Sequence, residues 1–223
     1  MQKIKTFITL LTVGLLLVSA AFAADPGEAT ITGTASVGSF STTSADTVDL
    51  TSGNIYTSNL TTSQATFRWS GLFGNVSGNI ILGDSDSDIL YQWAASGNLV
   101  YASTAGAPVW STLADATVAE MPVYLTTGSD NYTGTFTGAS ESIGSNIFGG
   151  VTDSDFATTL SSGATTWKTY SLWDATNLVF AGKVVEDGTA FDASTVDFQM
   201  IIPEDGTAGD ASASTYNLWV ELQ

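Results

Sequence analysis

Beyond residue 24, no apolar run lasts more than a few residues before serine, threonine, glycine or aspartate breaks it. This rhythm constrains the fold more than any other feature. A helix must bury one stripe over ten or more residues, whereas short apolar runs between turn formers are what strands joined by tight connections need. Ala29 to Val37 alternates through Ile31, Gly33, Ala35 and Val37, and Thr66 to Trp69 places Phe67 and Trp69 on one face. Asn79 to Leu82 and Ile89 to Trp93 flank Gly83-Asp84-Ser85-Asp86-Ser87-Asp88, which predicts a hairpin, and Asn98 to Ser103 continues the meander. The second half predicts strands over Tyr132 to Phe136, Trp167 to Trp173, Asn177 to Val185, Val196 to Ile202 and Tyr216 to Leu222. In the last of these Tyr216, Leu218 and Val220 point one way and Asn217, Trp219 and Glu221 the other, so both faces are expected to be covered. Helix is expected only over Val109 to Met121, with Trp110, Leu113 and Thr117 on one face, and as a single turn at Asp155 to Leu160. The expected fold is all-β: an antiparallel β-sandwich, jelly-roll or Ig-like, with one or two short helices.

The N-terminus departs from that rhythm. Lys3 and Lys5 precede an apolar stretch from Phe7 to Val18, and Ala21-Phe22-Ala23 follows. This is the layout of a secretory signal peptide cleaved after Ala23, since the stretch is shorter than the roughly 20 residues that span a bilayer. The expected organisation is a signal peptide over 1–23, an extended segment over 24–45 and a β-sandwich over 46–223, with no membrane span in the mature chain. With no cysteine, disulfides, a lipid anchor on cysteine and thiolate metal sites are excluded together. The core alone must hold the fold.

Charge narrows the partners. The chain has 22 acidic and 5 basic residues, and only Arg68, Lys168 and Lys183 are basic beyond the leader. Such a surface repels phosphate backbones and anionic headgroups, which argues against nucleic acid and electrostatic membrane docking. Histidine is also absent, which closes Ser-His-Asp, Cys-His and histidine-zinc chemistry. Carboxylate chemistry remains. A glycosidase needs two acids facing each other across a cleft, and Glu120, Glu141, Glu186 and Glu204 are the candidates.

Asp84, Asp86 and Asp88 form the sharpest acidic cluster. Alternate carboxylates in a loop suit a hard cation such as Ca2+, although Ile89 and Ala95 stand where an EF-hand needs glycine and glutamate. Asp153 with Asp155, and the twin loops Glu186 to Ser194 and Glu204 to Ser212, are weaker candidates of the same kind. Trp69, Trp93, Trp110, Trp167, Trp173 and Trp219 offer aromatic faces for a polysaccharide, but their apolar neighbours place most of them in the core. Asn59, Asn75 and Asn131 begin N-glycosylation sequons.

Trp69-Ser70-Gly71-Leu72-Phe73-Gly74-Asn75-Val76-Ser77-Gly78 resembles the W-x-G-x-x-G-N-V-x-G segment of a group of secreted archaeal surface proteins. Thr166 to Tyr170, Asp197 to Pro203 and the Tyr216 to Leu222 strand are similar in the same way, and the likeness covers about two thirds of the mature chain. A looser likeness is to filament-forming β-sandwich proteins of the TasA and archaeal bundling-pilus type, in which an N-terminal strand of one subunit completes the sheet of the next. It implies a donor strand here within Ala29 to Phe40, carried by Ile31, Ala35 and Val37, and self-association into a homopolymer. The expected function is a non-enzymatic extracellular structural subunit, with a carbohydrate-binding module and a carboxylate glycosidase as the competing readings.

Overall fold

The computed structural model describes residues 25–30, 51–52, 54–55, 66–147, 151–153, 156–158, 160, 164–204 and 214–223. Strand β1 (Gly27–Glu28) is followed by β2 (Trp69–Gly74), β3 (Gly78–Gly83), β4 (Ile89–Ala95) and β5 (Gly97–Ser103). Next, 3-10 turns at Trp110–Thr112 and Val118–Glu120 bracket β6 (Ala114–Asp115). A third covers Val123–Leu125, and the short helix α1 (Tyr132–Thr135) follows. The strands then resume with β7 (Glu141–Ser142), β8 (Thr152–Asp153), β9 (Phe156–Thr158), β10 (Lys168–Trp173) and β11 (Leu178–Lys183). Strands β12 (Gly188–Thr189), β13 (Thr195–Val196), β14 (Phe198–Pro203) and β15 (Asn217–Leu222) complete the order.

The main sheet runs β1-β15-β5-β11-β10-β6, with β9 also on β10, and every pairing in it is antiparallel. A two-stranded sheet of β14 and β2 lies across β11 and β10, so the all-β sandwich expected from the sequence is the observed architecture. The central strands feed two cores by strict alternation. In β5, Leu99 and Tyr101 enter one apolar cluster while Val100 and Ala102 enter the other. In β11, Val179 and Ala181 go one way and Phe180 the other. Tyr101, Phe180, Leu99 and Leu172 are almost fully enclosed, each worth roughly 1.5–3 kcal/mol of transfer free energy.

In β15, Trp219 joins one cluster while Leu218 and Val220 pack on the other, so both faces of that strand are covered as predicted. Beside Trp219 on that face lies Glu221, only 2 % exposed. It accepts hydrogen bonds from Tyr101 Oη (2.6 Å), Asn98 Nδ2 (2.8 Å), Ser145 Oγ (2.8 Å) and the Asn146 backbone N–H (2.5 Å). These four donors satisfy both oxygens of the buried carboxyl group.

Three expectations are corrected. Val109 to Met121 is not one helix. Its Trp110 and Leu113 belong to one core and Ala116 and Met121 to the other, so the segment turns around the edge of the main sheet and pairs with β10 through Asp115 and Ala114. Tyr132 to Phe136 is not a strand. Asn131 caps it by accepting from the Gly134 N–H at 2.7 Å, and helical spacing stacks Tyr132 on Phe136 with centroids 5.1 Å apart. Residues 156–158, expected within a helical turn, pair with Tyr170, Thr169 and Lys168 as β9. A further strand also starts later than expected: β2 begins at Trp69, which packs on Phe136, and Phe67 lies exposed before it. Ile31, Ala35 and Val37, with Asn59, Asp155 and the second twin loop beyond Glu204, lie outside the described residues.

The outer edge of β10 has a seam where β9 stops and β6 begins. There the Ser171 N–H donates to Asp153 Oδ2 at 2.7 Å, and the Ser171 carbonyl accepts from the Ala116 N–H at 3.0 Å. The fully buried Asp153 carboxylate thus replaces a strand's backbone acceptor. Asp153→Ala is expected to cost about 1–3 kcal/mol by orphaning this donor, read as a lower urea midpoint at unchanged slope; an unchanged midpoint would show the seam to be dispensable.

Candidate functional site

The most unusual surface is built by β3 and β4. Strand β2 passes into β3 through Asn75 to Ser77, and β4 passes into β5 through Ser96. Inside the body β2 and β5 belong to different sheets; past it, β3 and β4 pair only with each other among the described residues. The result is an arm of about 20 Å, from six residues at about 3.3 Å each. Glycine permits its neck. A Cβ on Gly78 would lie 2.7 Å from both Leu222 methyls, and one on Gly97 would lie 2.6 Å from Val76 Cγ1. The Val76 N–H donates to Asp197 Oδ2 (2.9 Å) and the Gln223 N–H to the Ser96 carbonyl (2.9 Å), tying both strands to the body.

The tip is closed by the aspartates. Asp84 and Asp88 form the closing pair, Asp84 N–H to Asp88 O at 3.0 Å, and Ser87 takes a positive φ of 70° as a three-residue hairpin loop requires. Asp84 Oδ1 accepts from the N–H groups of Asp86 (3.0 Å) and Asp88 (2.9 Å). Among the described residues no group of three or more acids is placed to hold a metal ion. The geometry shows Asp84 stabilising the turn, as short polar side chains do.

The register decides what the arm presents. Ile80 faces Trp93 and Leu82 faces Tyr91, so these four share one side; Asn79 with Ala94 and Ile81 with Gln92 share the other. Tyr91 and Trp93 pack edge to face at 4.7 Å and 68°. All four side chains of the first group stand in water, together with Ile81, Ile89 and Leu90. The expectation that tryptophans fill the core holds for Trp110, Trp167 and Trp219, and Trp69 and Trp173 are half-buried against it. Trp93 is the exception. The signal was present in Ile80-Ile81-Leu82 and Ile89-Leu90-Tyr91, apolar on both parities beside a charged loop, where a half-buried strand would alternate.

The other candidate residues have local roles. Glu120 Oε2 accepts from the Thr117 N–H (2.7 Å) in a capping box. Glu141 is ion-paired with Lys168 and accepts from Tyr170 Oη at 3.1 Å. Glu186 lies exposed in the turn before β12, and Glu204 is half-buried after β14. A shallow depression beside β1 and β15, bordered by Ala29, Gly106 and Tyr216, holds one carboxylate, Glu28. Two-acid hydrolysis needs a second. Asn75 is exposed between β2 and β3, whereas Asn131 is the half-buried cap of α1. Arg68 pairs with Asp130 at 3.2 Å. No helix among the described residues is long and apolar enough to cross a membrane.

The chain matches no protein family, no curated protein and no solved structure.

Several ionisable groups are held away from their ordinary values. Burial alone would raise Glu141, but hydrogen bonds from Lys168 and Tyr170 and the Lys168 charge hold it below 4.5. Asp174 is likewise pulled below 3.8 against its burial, by the Asn177 side chain and the backbone N–H groups of Asn177, Val109 and Thr176. Burial, and then the Glu221 and Glu141 carboxylates, push the phenols of Tyr101 and Tyr170 well above 10.0. Depressed acids contribute stability that is present above their unfolded values and lost as pH falls through the folded ones. Raised phenols contribute stability that is present below pH 10.0 and lost above it. Urea midpoints at constant ionic strength are therefore expected to fall below pH 4.5 and again above pH 10.0, with Glu141→Gln making the acid limb shallower. An acid limb unchanged by that substitution would remove Glu141 from the account.

Proposed function

We propose that this protein is a non-enzymatic extracellular structural subunit, joining copies of itself through β-strand edges into a filament or layer at the cell surface. The observation that carries the reading is the arm. The outer edges of β3 and β4 have no strand partner among the described residues, and neither does the second edge of β2. Unpaired edges are templates for another chain, with main-chain hydrogen bonds supplying affinity. The N-terminal segment fits the same scheme. After the expected cleavage site, β1 covers only Val220 and Trp219 of the β15 edge, and the Ala29 N–H adds one bond to Leu218 O. The chain that follows, with Ile31, Ala35 and Val37, is the proposed donor to a neighbouring subunit. Divalent cations such as Ca2+ would assist by bridging acidic surfaces.

Deleting residues 24–40 is expected to leave a folded monomer, shown by an unchanged far-UV spectrum, and to abolish high-mass species in sedimentation and fibres or lattices in electron microscopy. Normal assembly of the truncated chain would refute strand donation.

A second reading, a carbohydrate-binding or adhesive module, draws on the exposed Tyr91 and Trp93. Titration with polysaccharides should then change tryptophan fluorescence in the intact chain and not in Trp93→Phe. An unresponsive spectrum would dismiss it.

A further inference from the structure

The arm has a face as well as edges, and the face identifies a partner. Ile80 is 47 % exposed, Leu82 49 %, Tyr91 57 % and Trp93 47 %. Together these four leave an apolar patch on the order of a few hundred Å2 in water, the size that marks an interaction surface, while Ile81 is exposed on the other side. An isolated two-stranded hairpin is marginal in water, so this surface has a cover when the protein works.

We infer that the Ile80, Leu82, Tyr91 and Trp93 face stacks on the same face of a second copy of this chain, the two arms antiparallel about a two-fold axis. The inference rests on the reading of the protein as a self-associating subunit and names the surface it uses. Charge selects the partner. A chain of formal net charge −17 repels its own copies, yet residues 78–83 and 89–95 contain no Asp, Glu, Lys or Arg. Here two acidic copies can meet without opposing charges.

Charge also selects the orientation. Parallel stacking would bring the Asp84, Asp86 and Asp88 tips of both copies together. Antiparallel stacking separates them and lays each tip at the other copy's neck, where Lys183 pairs with Leu99 at the start of β5. Arg68 and Lys168 are ion-paired with Asp130 and Glu141; Lys183, whose charge also acts on Glu141, is the cation nearest the neck, where Asp197 is already engaged by the Val76 N–H. Two sheets stack about 10 Å apart by interdigitating such side chains.

A bilayer fits this face less well. Insertion tip-first would carry three carboxylates into hydrocarbon, at about 2.5–3.5 kcal/mol each. A glycan fits less well too, because the hydrogen-bonding Asn79 and Gln92 lie on the opposite side.

The test uses the mature chain and its Ile80→Thr/Tyr91→Thr variant, which keeps strand-forming residues. Sedimentation equilibrium should show dimers or larger species for the unmodified chain and at least about tenfold weaker association for the variant, given the apolar burial removed. The far-UV spectrum and urea midpoint should be unchanged. Because the chain lacks cysteine, Ile80→Cys should oxidise to a covalent dimer, whereas Asp86→Cys at the tip should not. Undiminished assembly of the double variant would overturn the arm contact while leaving self-association through other edges standing. An unmodified chain that stays monomeric at every concentration would overturn both. Cross-linking through Asp86→Cys would overturn the antiparallel arrangement. Co-sedimentation with phosphatidylcholine vesicles, lost in the double variant, would overturn the second copy in favour of a bilayer.

Discussion

Everything in this fold depends on a main sheet buried on both faces. A sheet with one wet side can place polar residues in water at every second position, but the middles of β5, β10, β11 and β15 cannot, because their successive side chains turn alternately towards one core and the other. The polar groups in these strands are therefore enclosed together with their partners. Ser171 holds Tyr132 Oη at 2.7 Å, Ser103 donates to the Leu178 carbonyl at 2.7 Å, and Glu221 gathers its four donors. Two shared cores allow a cysteine-free chain to fold without a covalent staple.

The arm breaks every rule that the body obeys. Its large apolar side chains face solvent on both sides, its edges are bare of strands among the described residues, and its strands leave the layers that would cover them. Local inconsistency of this kind concentrates where a protein works. The neck glycines and the bonds from Val76 and Gln223 hold the arm to the body, so it is a positioned element and not a frayed extension.

Strands were legible where alternation and turn chemistry agreed: Asn177 to Val185, Tyr216 to Leu222, and the two halves of the arm with their aspartate loop all form as read. Reading failed where the chain changes partner within a few residues. Trp110 and Leu113 suggested a helical face because the segment bends around a sheet edge, bringing apolar residues back at uneven intervals. Tyr132 and Phe136 fit strand and helix spacing equally, and the Asn131 cap decided for helix. Glu221 stood among many acids with nothing local to mark it, and Asp153 drew notice only as a cation candidate beside Asp155, since the donors that define both roles come from other parts of the chain. The exposure of Trp93 was hidden for a related reason: whether an apolar strand is covered depends on where its neighbours go.

The placement of β15 has a consequence for timing. It fills the position between β1 and β5, and its Glu221 meets Tyr101 from 120 residues away. During synthesis β5 can pair with β11 before β15 emerges, but its other edge and β1 lack their shared partner until then. Such non-local closure slows folding, so the β1 side of the main sheet is the part of this fold completed last.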